Sequence, residues 1–512
     1  MIDTVADIVR VHARQRPDAP ALIVGEEVIT FGELDARSNR AAQAFAAAGI
    51  GPGDRVAFVD KNGAEFFDVA FGLAKLGAVG VPVNWRLAAP EMRHILVDSG
   101  AAAVVVGAEF FAHLEAIEAD IDATVIAVGT HARWPDFTDW VAGHPAVDPG
   151  VRTAADDLVF LMYTSGTTGL PKGVMLSNAN YVCKTGGVAA GPWQLDADAV
   201  SLAVMPLFHM AGSGWVFAGL WEGAATVLLR DVVPSEILDA IARHRVTNML
   251  LVPAVIASLL DTPGVANADF SWVRLIVYGA SPISDDVLLR GIERFGGIFA
   301  QVYGMTETTG SITQLDGAEH QPHLLRSCGR PYPWVEVRIV GTDGAELPVG
   351  SVGEVWTRSA QNMLGYWNNP DATAATLTPD GWLRTGDAGY LDADGYLYLH
   401  DRVKDMIVSG GENVYPAEVE NVLMTHPEVA DVAVIGVPDR RWGEAVKAVV
   451  VPTAGATLDG AELIAFARAR LGGFKLPKSV DLVDALPRTP SGKILKRALR
   501  EPYWADADRH IG

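Results

Sequence analysis

The stretch YTSGTTGLPKGV at residues 163–174 follows the apolar run LVFLM and guides the interpretation of the whole chain. It holds three glycines, four Ser or Thr hydroxyls and Lys172. Glycines let backbone N–H groups come close to an anion, the hydroxyls add donors, and the lysine adds positive charge. The segment therefore predicts a phosphate-binding loop after a buried strand. Its spacing differs from the Walker A pattern, and by composition alone a flexible turn is the alternative.

Around this loop, short apolar runs alternate with helical patterns over the first four hundred residues or so. The helical periodicity is clearest in FGELDARSNRAAQAFAAAG, from residue 31, and in SEILDAIARHR, from residue 235. This alternation predicts an α/β fold, in which helices pack on both faces of largely parallel sheets. The apolar runs that predict buried strands are RVAFVD, AAAVVVG, TVIAVG, AVSLAVMP, ATVLLRD, NMLLVP and LIVYGA.

The pattern changes twice toward the C-terminus. From about Glu336 the chain has shorter strands and turns, which predicts a small antiparallel subdomain. After Arg402 a compact α+β pattern follows. We therefore predict a large N-terminal domain at residues 1–403, with parallel or mixed sheets, packed helices and the antiparallel subdomain. A small α+β domain is predicted at residues 404–512.

The composition excludes several classes of protein. The formal net charge is −22 over 512 residues, which argues against a nucleic-acid partner. Two cysteines cannot form a disulfide framework, and the charged N-terminal residues lack the apolar core of a signal peptide. Residues 199–221 hold no Asp, Glu, Lys or Arg, but Pro206, His209 and several glycines favour buried core over an integral membrane segment. We expect a cytoplasmic globular protein.

The string YTSGTTGLPKG resembles the signature of the adenylate-forming superfamily, which includes acyl-CoA synthetases, the adenylation domains of peptide synthetases and luciferases. Further motifs of that superfamily follow in its order, and the resemblance covers nearly the whole chain. They are MPLFHMAG at 205–212, YGAS at 278–281, VYGMTE at 302–307, GYW at 365–367, TGD at 385–387, DRVKDMIVSGGENVYPAEVE at 401–420 and PRTPSGKILKR at 487–497.

The resemblance implies a reaction in two steps. A carboxylate attacks the α-phosphate of ATP and displaces pyrophosphate, and a thiol then attacks the acyl adenylate. Neither step needs a side-chain nucleophile, so catalysis consists mostly of positioning and of stabilising phosphate charge. ATP, Mg²⁺ and coenzyme A are the implied cofactors, and a small carboxylic acid is the implied substrate. Homo-oligomerisation stays open.

The nucleotide contacts are implied residue by residue. Thr164 and Glu307 are the implied magnesium ligands, since Mg²⁺ needs only one or two protein oxygens beside phosphates and water. Asp387 and Arg402 are assigned to the ribose. The whole set of nucleotide- and CoA-binding residues is Thr164, Ser165, Gly166, Thr167, Thr168, Gly169, Lys172, Gly279, Ala280, Ser281, Tyr303, Gly304, Met305, Thr306, Asp387, Arg402, Lys404, Gly410, Gly411 and Lys493.

Lys493 is the implied lysine that reaches the attacking carboxylate and the α-phosphate, although charge count alone would place it on a solvated basic tail. Lys404 lies where the small domain of the superfamily pivots. Gly410 and Gly411 would then line the pantetheine tunnel. The implied catalytic set is Lys172, Thr306, Glu307 and Lys493.

The acyl pocket is implied by the LFHMAG motif. His209 would shape the pocket beside the acyl carboxylate, and a hydrogen-bonded core histidine is the alternative. Trp215 is expected to pack in the core, and a position that lines or blocks the acyl tunnel is the alternative. The remaining pocket candidates are mostly apolar or small, which leaves fatty, aryl and steroid-side-chain acids open and excludes little beyond short dicarboxylates. The candidate acyl-binding residues are His209, Met210, Ala211, Val252, Ala254, Tyr278, Ser281 and Gly304.

Two other functions stay open. A stand-alone adenylation enzyme would load an acyl or amino-acyl group onto a carrier protein, but LFHMAGSGW lacks an acid to pair with an α-ammonium. A non-catalytic nucleotide sensor is disfavoured by the intact motif residues. SGGENVYPAEVE resembles the hinge of fatty-acyl and aryl acyl-CoA synthetases. We therefore predict an AMP-forming acyl-CoA ligase for a medium- or long-chain fatty acid or another acid with an apolar tail.

Overall fold

The computed structural model describes residues 2–164, 170–189, 193–281, 283–296, 299–402, 405–409, 412–439, 441–468, 470–488 and 494–504. Contacts divide the chain into two compact units. Unit 1 holds residues 1–336 with 357–383, and unit 2 holds residues 337–356 with 384–512. The domain boundary predicted at residue 403 stays a prediction, because a division by contacts does not define where a chain pivots.

The described strands form four sheets. In chain order the strands are β1 (Pro20–Val24), β2 (Glu27–Thr30), β3 (Arg55–Val59), β4 (Val79–Pro82), β5 (Ala101–Gly107), β6 (Thr124–Val128), β7 (Leu158–Thr164), β8 (Lys172–Ser177), β9 (Val200–Ala203), β10 (Ala225–Leu228), β11 (Asn248–Leu251), β12 (Leu275–Gly279), β13 (Phe299–Met305), β14 (Gly310–Leu315), β15 (Arg330–Pro331), β16 (Glu336–Val340), β17 (Gly353–Arg358), β18 (Gly365–Tyr366), β19 (Leu383–Leu391), β20 (Leu397–Arg402), β21 (Ile407–Ser409), β22 (Glu412–Val414), β23 (Val429–Asp439), β24 (Gly443–Pro452) and β25 (Ser479–Leu482).

The α-helices alternate with these strands through unit 1 and recur in unit 2. In chain order they are α1 (Val5–Gln15), α2 (Phe31–Ala47), α3 (Ala64–Leu76), α4 (Ala89–Ser99), α5 (Phe111–Glu115), α6 (Phe137–Ala142), α7 (Asn178–Ala189), α8 (Ser213–Glu222), α9 (Pro234–His244), α10 (Pro253–Leu260), α11 (Asp285–Phe295), α12 (Pro370–Thr376), α13 (Pro416–Leu423), α14 (Gly460–Arg468) and α15 (Lys496–Trp504).

Unit 1 contains two sheets. Their strand orders are β15-β14-β13-β12-β11-β9-β10-β1-β2 and β18-β8-β7-β4-β3-β5-β6. The inner strands of both sheets pair in parallel, whereas β14 pairs antiparallel with β13, and β8 pairs antiparallel with β7. Every apolar run that predicted a strand contains one. The α/β architecture predicted from the alternation is therefore confirmed.

Helix α2 illustrates how local sequence defines an element. At its N-terminus the Thr30 hydroxyl accepts a hydrogen bond from the Glu33 N–H, and the Glu33 carboxylate accepts one from the Thr30 N–H. This reciprocal pair satisfies two backbone donors that a helix start otherwise leaves open. Its apolar face buries Phe31, Leu34 and Phe45. Glu33 therefore fixes the start of the helix, and the spacing of these apolar residues fixes the face that packs inward.

The uncharged stretch at residues 199–221 forms β9, a loop and most of α8. Residues 213–220 of this helix are buried, and Trp215 donates a hydrogen bond from Nε1 to the Leu202 carbonyl at 3.1 Å. Trp215 is therefore a core residue, as expected. Among the described residues, no helix is long and apolar enough to cross a membrane.

Unit 2 contains the other two sheets. The first has the order β16-β17-β19-β20 and includes the antiparallel pair β19–β20. The second has the order β22-β21-β24-β23, with β25 paired in parallel to β24. Helices α13 and α14 cover an apolar core that includes Val432, Val434, Val446 and Leu463. The antiparallel subdomain and the α+β C-terminal region predicted from the sequence are thus both present.

Candidate functional site

The carboxyl ends of four parallel strands bring the motifs of unit 1 to one edge of a sheet. Residues 204–211 follow β9, and Val252 follows β11. Gly279 ends β12 with residues 280–281 directly after it, and Glu307 follows β13. These strands are neighbours in the order β13-β12-β11-β9. Ligands of α/β proteins bind outside such an edge, because loops from several strands converge there.

Backbone geometry at this edge depends on specific residues. A β-carbon at Gly279 would overlap the Val302 carbonyl oxygen, and one at Gly304 would overlap the Gly310 carbonyl oxygen. Only glycine permits these close backbone approaches. Ala280 follows with a φ of 65°, a left-handed conformation that costs energy for a residue with a side chain. The adenine-contact segment predicted from YGAS therefore has a strained and precisely fixed backbone.

A cation, a phenol and a carboxylate lie together in unit 1. The Tyr366 hydroxyl donates a hydrogen bond to Glu307 Oε1 at 2.9 Å. Lys172 Nζ lies 5.1 Å from the centroid of the Tyr366 ring. Glu307 is only 7% exposed, so its carboxylate is desolvated except for such partners. Three separate motifs thus supply one polar cluster, and two of its members, Lys172 and Glu307, were predicted.

Strand pairing explains why these three side chains meet. Tyr366 on β18 is paired with Val174 on β8, the strand that Lys172 begins. The Met363 N–H donates to the Glu307 carbonyl at 2.8 Å. The Gln361 side chain donates to the Thr308 carbonyl, also at 2.8 Å. The segment before β18 is therefore tied directly to the turn that carries Glu307.

The phosphate loop connects to the same cluster. Thr164 ends β7 and is paired with Lys172 on β8, so the loop begins and ends beside these two residues. The Tyr163 hydroxyl donates to Asp98 Oδ2 at 2.6 Å, and burial raises the pKa of this phenol. Five residues of the predicted phosphate-binding loop lie outside the described residues: Ser165, Gly166, Thr167, Thr168 and Gly169.

The predicted acyl-binding residues differ in exposure. His209, Met210 and Ala211 are half-buried, and the His209 ring lies 4.4 Å from that of Phe208. Val252 is half-buried as well, whereas Ala254 is exposed in the first turn of α10. His209, Met210 and Ala211 therefore remain partly accessible at the sheet edge, whereas Leu207 and Phe208 of the same motif are buried and Ala254 is exposed.

Tyr278 is almost completely buried at the end of β12. Its hydroxyl lies 3.1 Å from His320 Nε2, within hydrogen-bond distance. Burial lowers the pKa of His320, which favours a neutral imidazole as the partner of this phenol. Tyr278 is thus fixed on the side of the strand that packs against His320.

The sequence reasoning missed Lys184 on α7. This lysine is 2% exposed, and its ammonium lies 4.7 Å from the centroid of the Trp193 ring. Burial lowers the pKa of Lys184 to about 7. One signal in the sequence pointed to it, because Lys184 is the single charged residue between positions 178 and 195.

Tyr303, Met305 and Thr306 are half-buried at the end of β13 and directly after it. Six other predicted residues belong to unit 2. Asp387 on β19 is 8% exposed and is paired in register with Arg402 on β20. This pairing places the two residues predicted to bind ribose on adjacent strands. Four further residues that were predicted to bind nucleotide or CoA lie outside the described residues: Lys404, Gly410, Gly411 and Lys493.

Comparison with known proteins identifies the fold and its chemistry. Residues 9–367 match the family described as AMP-binding enzyme, and residues 418–493 match the AMP-binding enzyme C-terminal domain. This chain belongs to the AMP-binding enzyme family. Both matches agree with the motif order, which confirms the adenylate-forming superfamily and its acyl-CoA synthetase branch.

Three similar proteins illustrate the range of this family of AMP-binding enzymes. A fatty acid–[acyl-carrier-protein] ligase of Streptomyces coeruleorubidus is 40% identical over 518 residues, which cover 100% of this chain and 98% of that protein. A feruloyl-CoA synthase of an Amycolatopsis species is 41% identical over 494 residues, which cover 96% of this chain and 97% of that protein. The crystal structure of ATP-bound MatB from Rhodopseudomonas palustris has a TM-score of 0.89 at 32% identity, covering 99% of both chains.

These findings establish the class of reaction. This AMP-binding enzyme is an ATP-dependent, AMP-forming acid–CoA ligase, and ATP and CoA are its cosubstrates. The acyl-CoA ligase predicted from the sequence is confirmed at this level.

Proposed function

We propose that this ligase activates a carboxylic acid with an apolar or aromatic tail and that the cluster of Lys172, Tyr366 and Glu307 holds the phosphates of ATP. The single observation that carries the proposal is that cluster. It places a cation and a buried carboxylate beside the glycine-rich loop. Its charges suit a polyphosphate with a divalent cation, because Lys172 attracts phosphate oxygens and Glu307 attracts the metal.

Mg²⁺ fits the donors present. The described residues contain no group of three or more His, Cys, Asp or Glu that would hold a metal by themselves. Glu307, with Thr164 as the second oxygen, supplies the one or two protein ligands that Mg²⁺ takes when phosphates and water complete its shell. When bound there, the ion would neutralise charge on the β- and γ-phosphates.

The first step joins the acid to AMP. A carboxylate oxygen bonds to the α-phosphorus, and the bond to the bridging oxygen of pyrophosphate breaks. Lys172 and residues 164–169 hold the leaving pyrophosphate, Thr306 lies beside the reacting phosphate, and Lys493 stabilises the charge that develops on the α-phosphate. Gly279, Ala280, Ser281 and Tyr303 hold the adenine, while Asp387 and Arg402 hold the ribose.

The second step transfers the acyl group. The CoA sulfur bonds to the acyl carbon, and AMP leaves with the former carboxylate oxygen. We assign Lys404 to the pivot of a small domain at residues 404–512, and Gly410 and Gly411 to the pantetheine tunnel. A cytoplasmic location stays a prediction.

The residues at the sheet edge argue against an amino acid as the substrate. Residues 199–221 hold no carboxylate, so nothing in this motif pairs with the ammonium of an amino acid. The buried amine of Lys184 lies beside Gly214 of the same motif and likewise offers no negative charge to a substrate ammonium. An acid without an α-amino group therefore fits best.

A CoA-dependent AMP-release screen tests the proposal. Fatty and aryl acids should release AMP in the presence of CoA, and free amino acids should not. Lys172→Met and Glu307→Gln should each lower the rate by about a hundredfold, the size of effect seen when one charge-stabilising group is lost. Glu293→Gln, an exposed residue on α11, is the matched control. Amino-acid-dependent pyrophosphate exchange above that of every other acid would contradict the proposal.

A carrier protein is the second candidate acceptor, because the similar Streptomyces protein is named for ligating fatty acid to an acyl carrier protein. Supplying CoA and a phosphopantetheine-bearing carrier protein in separate reactions distinguishes the two. Faster acyl transfer to the carrier protein than to CoA would identify the carrier protein as the acceptor.

A further inference from the structure

Lys184 is a buried amine at the centre of unit 1. Helix α7 carries it, and its Nζ lies 3.4 Å from the Gly214 carbonyl oxygen, a long and weak hydrogen bond. The Trp193 ring, which the ammonium approaches, is itself held in place, since its Nε1 donates to Gln314 at 2.8 Å. The ammonium of this lysine therefore contacts one carbonyl oxygen and one aromatic ring.

In the described part of the chain, no carboxylate lies within salt-bridge distance of the Lys184 ammonium. Its contacts are the Gly214 carbonyl and the Trp193 ring, and burial lowers its pKa. The residues of unit 1 outside the described part, 1, 165–169, 190–192, 282 and 297–298, contain no Asp or Glu. Burying an ammonium without an anion is unfavourable. Lys75 is also buried, but its ammonium contacts the Asp35 carboxylate at 2.7 Å, and this anion compensates its charge.

The amine lies among residues of the motifs that form the predicted acyl pocket. A β-carbon at Gly214 would lie 3.6 Å from Lys184 Nζ and 2.8 Å from Met210 Cε. A β-carbon at Gly310, three residues beyond Glu307, would lie 3.8 Å from both atoms. The space beside these two glycines, where other residues would have a side chain, therefore borders both the amine and the Met210 methyl group.

Met210 is the residue of the predicted acyl-pocket motif that borders the same two glycines as the amine. It is half-buried, next to His209 in the sequence, and its sulfur accepts a hydrogen bond from the Tyr181 hydroxyl at 3.5 Å. Methionine has three rotatable bonds and changes position at low cost. The Met210 side chain can therefore change position beside Lys184 Nζ.

We propose that Lys184 determines the specificity of the acyl pocket, and that the preferred acid carries a second oxygen acceptor on its tail that binds the Lys184 amine. This inference rests on the proposed function and narrows its substrate class. The acceptor is a carboxylate or a phenolic oxygen, because each accepts a hydrogen bond from an amine, and the carboxylate also compensates the charge of an ammonium. Lys184 takes no part in bond making, so it acts on substrate choice and not on adenylation itself.

Matched pairs of acids test the proposal. The wild type and Lys184→Met are assayed for CoA-ester formation with cinnamate against 4-hydroxycinnamate and with hexanoate against adipate. The wild type should prefer the acceptor-bearing acid of at least one pair by about tenfold or more in kcat/KM, the size expected of one hydrogen bond to a charged group. The methionine variant should lose that preference and retain its rate on the plain acid.

The choice of pair identifies the acceptor. A preference within the first pair alone assigns a phenolic oxygen, and one within the second pair alone assigns a carboxylate. The inference is overturned if the wild type prefers the plain acid of both pairs, or if Lys184→Met lowers the rates of both members of a pair equally.

Calorimetric binding of the same acids, which requires no turnover, separates this inference from the proposed function. At pH 8 the wild type should take up protons when an acid with an anionic tail binds, since a nearby anion raises the pKa of the amine, and Lys184→Met should not. The Tyr181 hydroxyl, which donates to the Met210 sulfur, has a pKa raised by burial, so it stays neutral at this pH. Binding with equal affinity by both proteins would overturn the role of Lys184. Absence of CoA esters from every acid would contradict the proposed function instead.

Discussion

The Tyr366 hydroxyl donates a hydrogen bond to Oε1 of Glu307 at 2.9 Å, which joins two motifs that lie 59 residues apart in the chain. The bond engages one of the two carboxylate oxygens of Glu307. It also fixes the rotamer of a carboxylate that is nearly buried. A group that orients a ligand in this way affects metal binding without touching the metal.

Tyr366→Phe should therefore weaken the use of Mg²⁺. Loss of an orienting hydrogen bond typically costs about tenfold to a hundredfold in metal affinity or activity. Pyrophosphate release titrated with Mg²⁺ should show a higher half-saturating concentration and a smaller change in the maximal rate. Tyr390→Phe, on β19 of unit 2, is the matched control. An unchanged Mg²⁺ dependence would show that Tyr366 does not orient Glu307.

Lys184→Met should stabilise the protein in a pH-dependent way. The folded pKa of Lys184 is about 7, against an ordinary value of 10.5. Between these values the unfolded chain binds a proton that the folded chain does not, so this lysine makes stability rise with pH. Below pH 7 the burial of the ammonium lowers the stability of the folded protein by its full amount, and above pH 10.5 this effect vanishes. The variant should thus melt a few degrees above the wild type at pH 6, with the difference shrinking toward pH 10.

Lys75→Met is the control for that measurement. Its ammonium contacts the Asp35 carboxylate, and it also donates to Ser38 and Asn39, so its removal leaves buried acceptors without their donor. This variant should melt below the wild type. A Lys184→Met variant that melts below the wild type at every pH would show that Lys184 is compensated in the folded protein.

Lys493→Ala should act on one half-reaction. Acyl-adenylate formation should fall by at least about a hundredfold, because one charge-stabilising group is lost. The same variant, supplied with synthetic acyl adenylate and CoA, should still form the CoA ester at a near-normal rate. Loss of both half-reactions to the same extent would contradict the assigned role, and no change in either would place Lys493 on a solvated basic tail.

Lys404→Pro should act on the other half-reaction. Proline fixes φ near about −65°, which opposes the backbone rotation that a hinge requires. Adenylation should survive and thioester formation should fall. Both rates are measured on one preparation, with exposed Lys478→Ala as a comparison for general effects of removing a lysine from unit 2. Unchanged CoA-ester production would count against a pivot at residue 404.

Strand-rich segments were predictable because their apolar runs are short and end at Gly, Pro or Asp. Lys172 and Glu307 were predictable because the residues around them form recognisable motifs. Neither periodicity nor motif order shows which side chains meet across sheets. The hydrogen bond from Tyr366 to Glu307 depends on the pairing of β18 with β8, and GYW alone does not reveal it.

Lys184 shows a second limit of the sequence. Its helix has apolar and small residues around it, and the lone charge was the available signal. That a lysine is buried without an anion becomes visible only when α7, α8 and β14 are packed, since Gly214 and Gly310 come from the latter two elements. The parallel pairing of β25 with β24 is likewise a long-range contact that local pattern does not specify.

Transfer of an oxygen label tests the central claim most directly. An acid labelled with ¹⁸O in its carboxylate is incubated with the enzyme, ATP, Mg²⁺ and CoA, and AMP is analysed by mass spectrometry. Attack of the carboxylate on the α-phosphate, followed by release of AMP to the thiol, should leave one ¹⁸O atom in each AMP and yield one CoA ester. Unlabelled AMP, or label in inorganic phosphate together with ADP, would contradict the formation of an acyl adenylate.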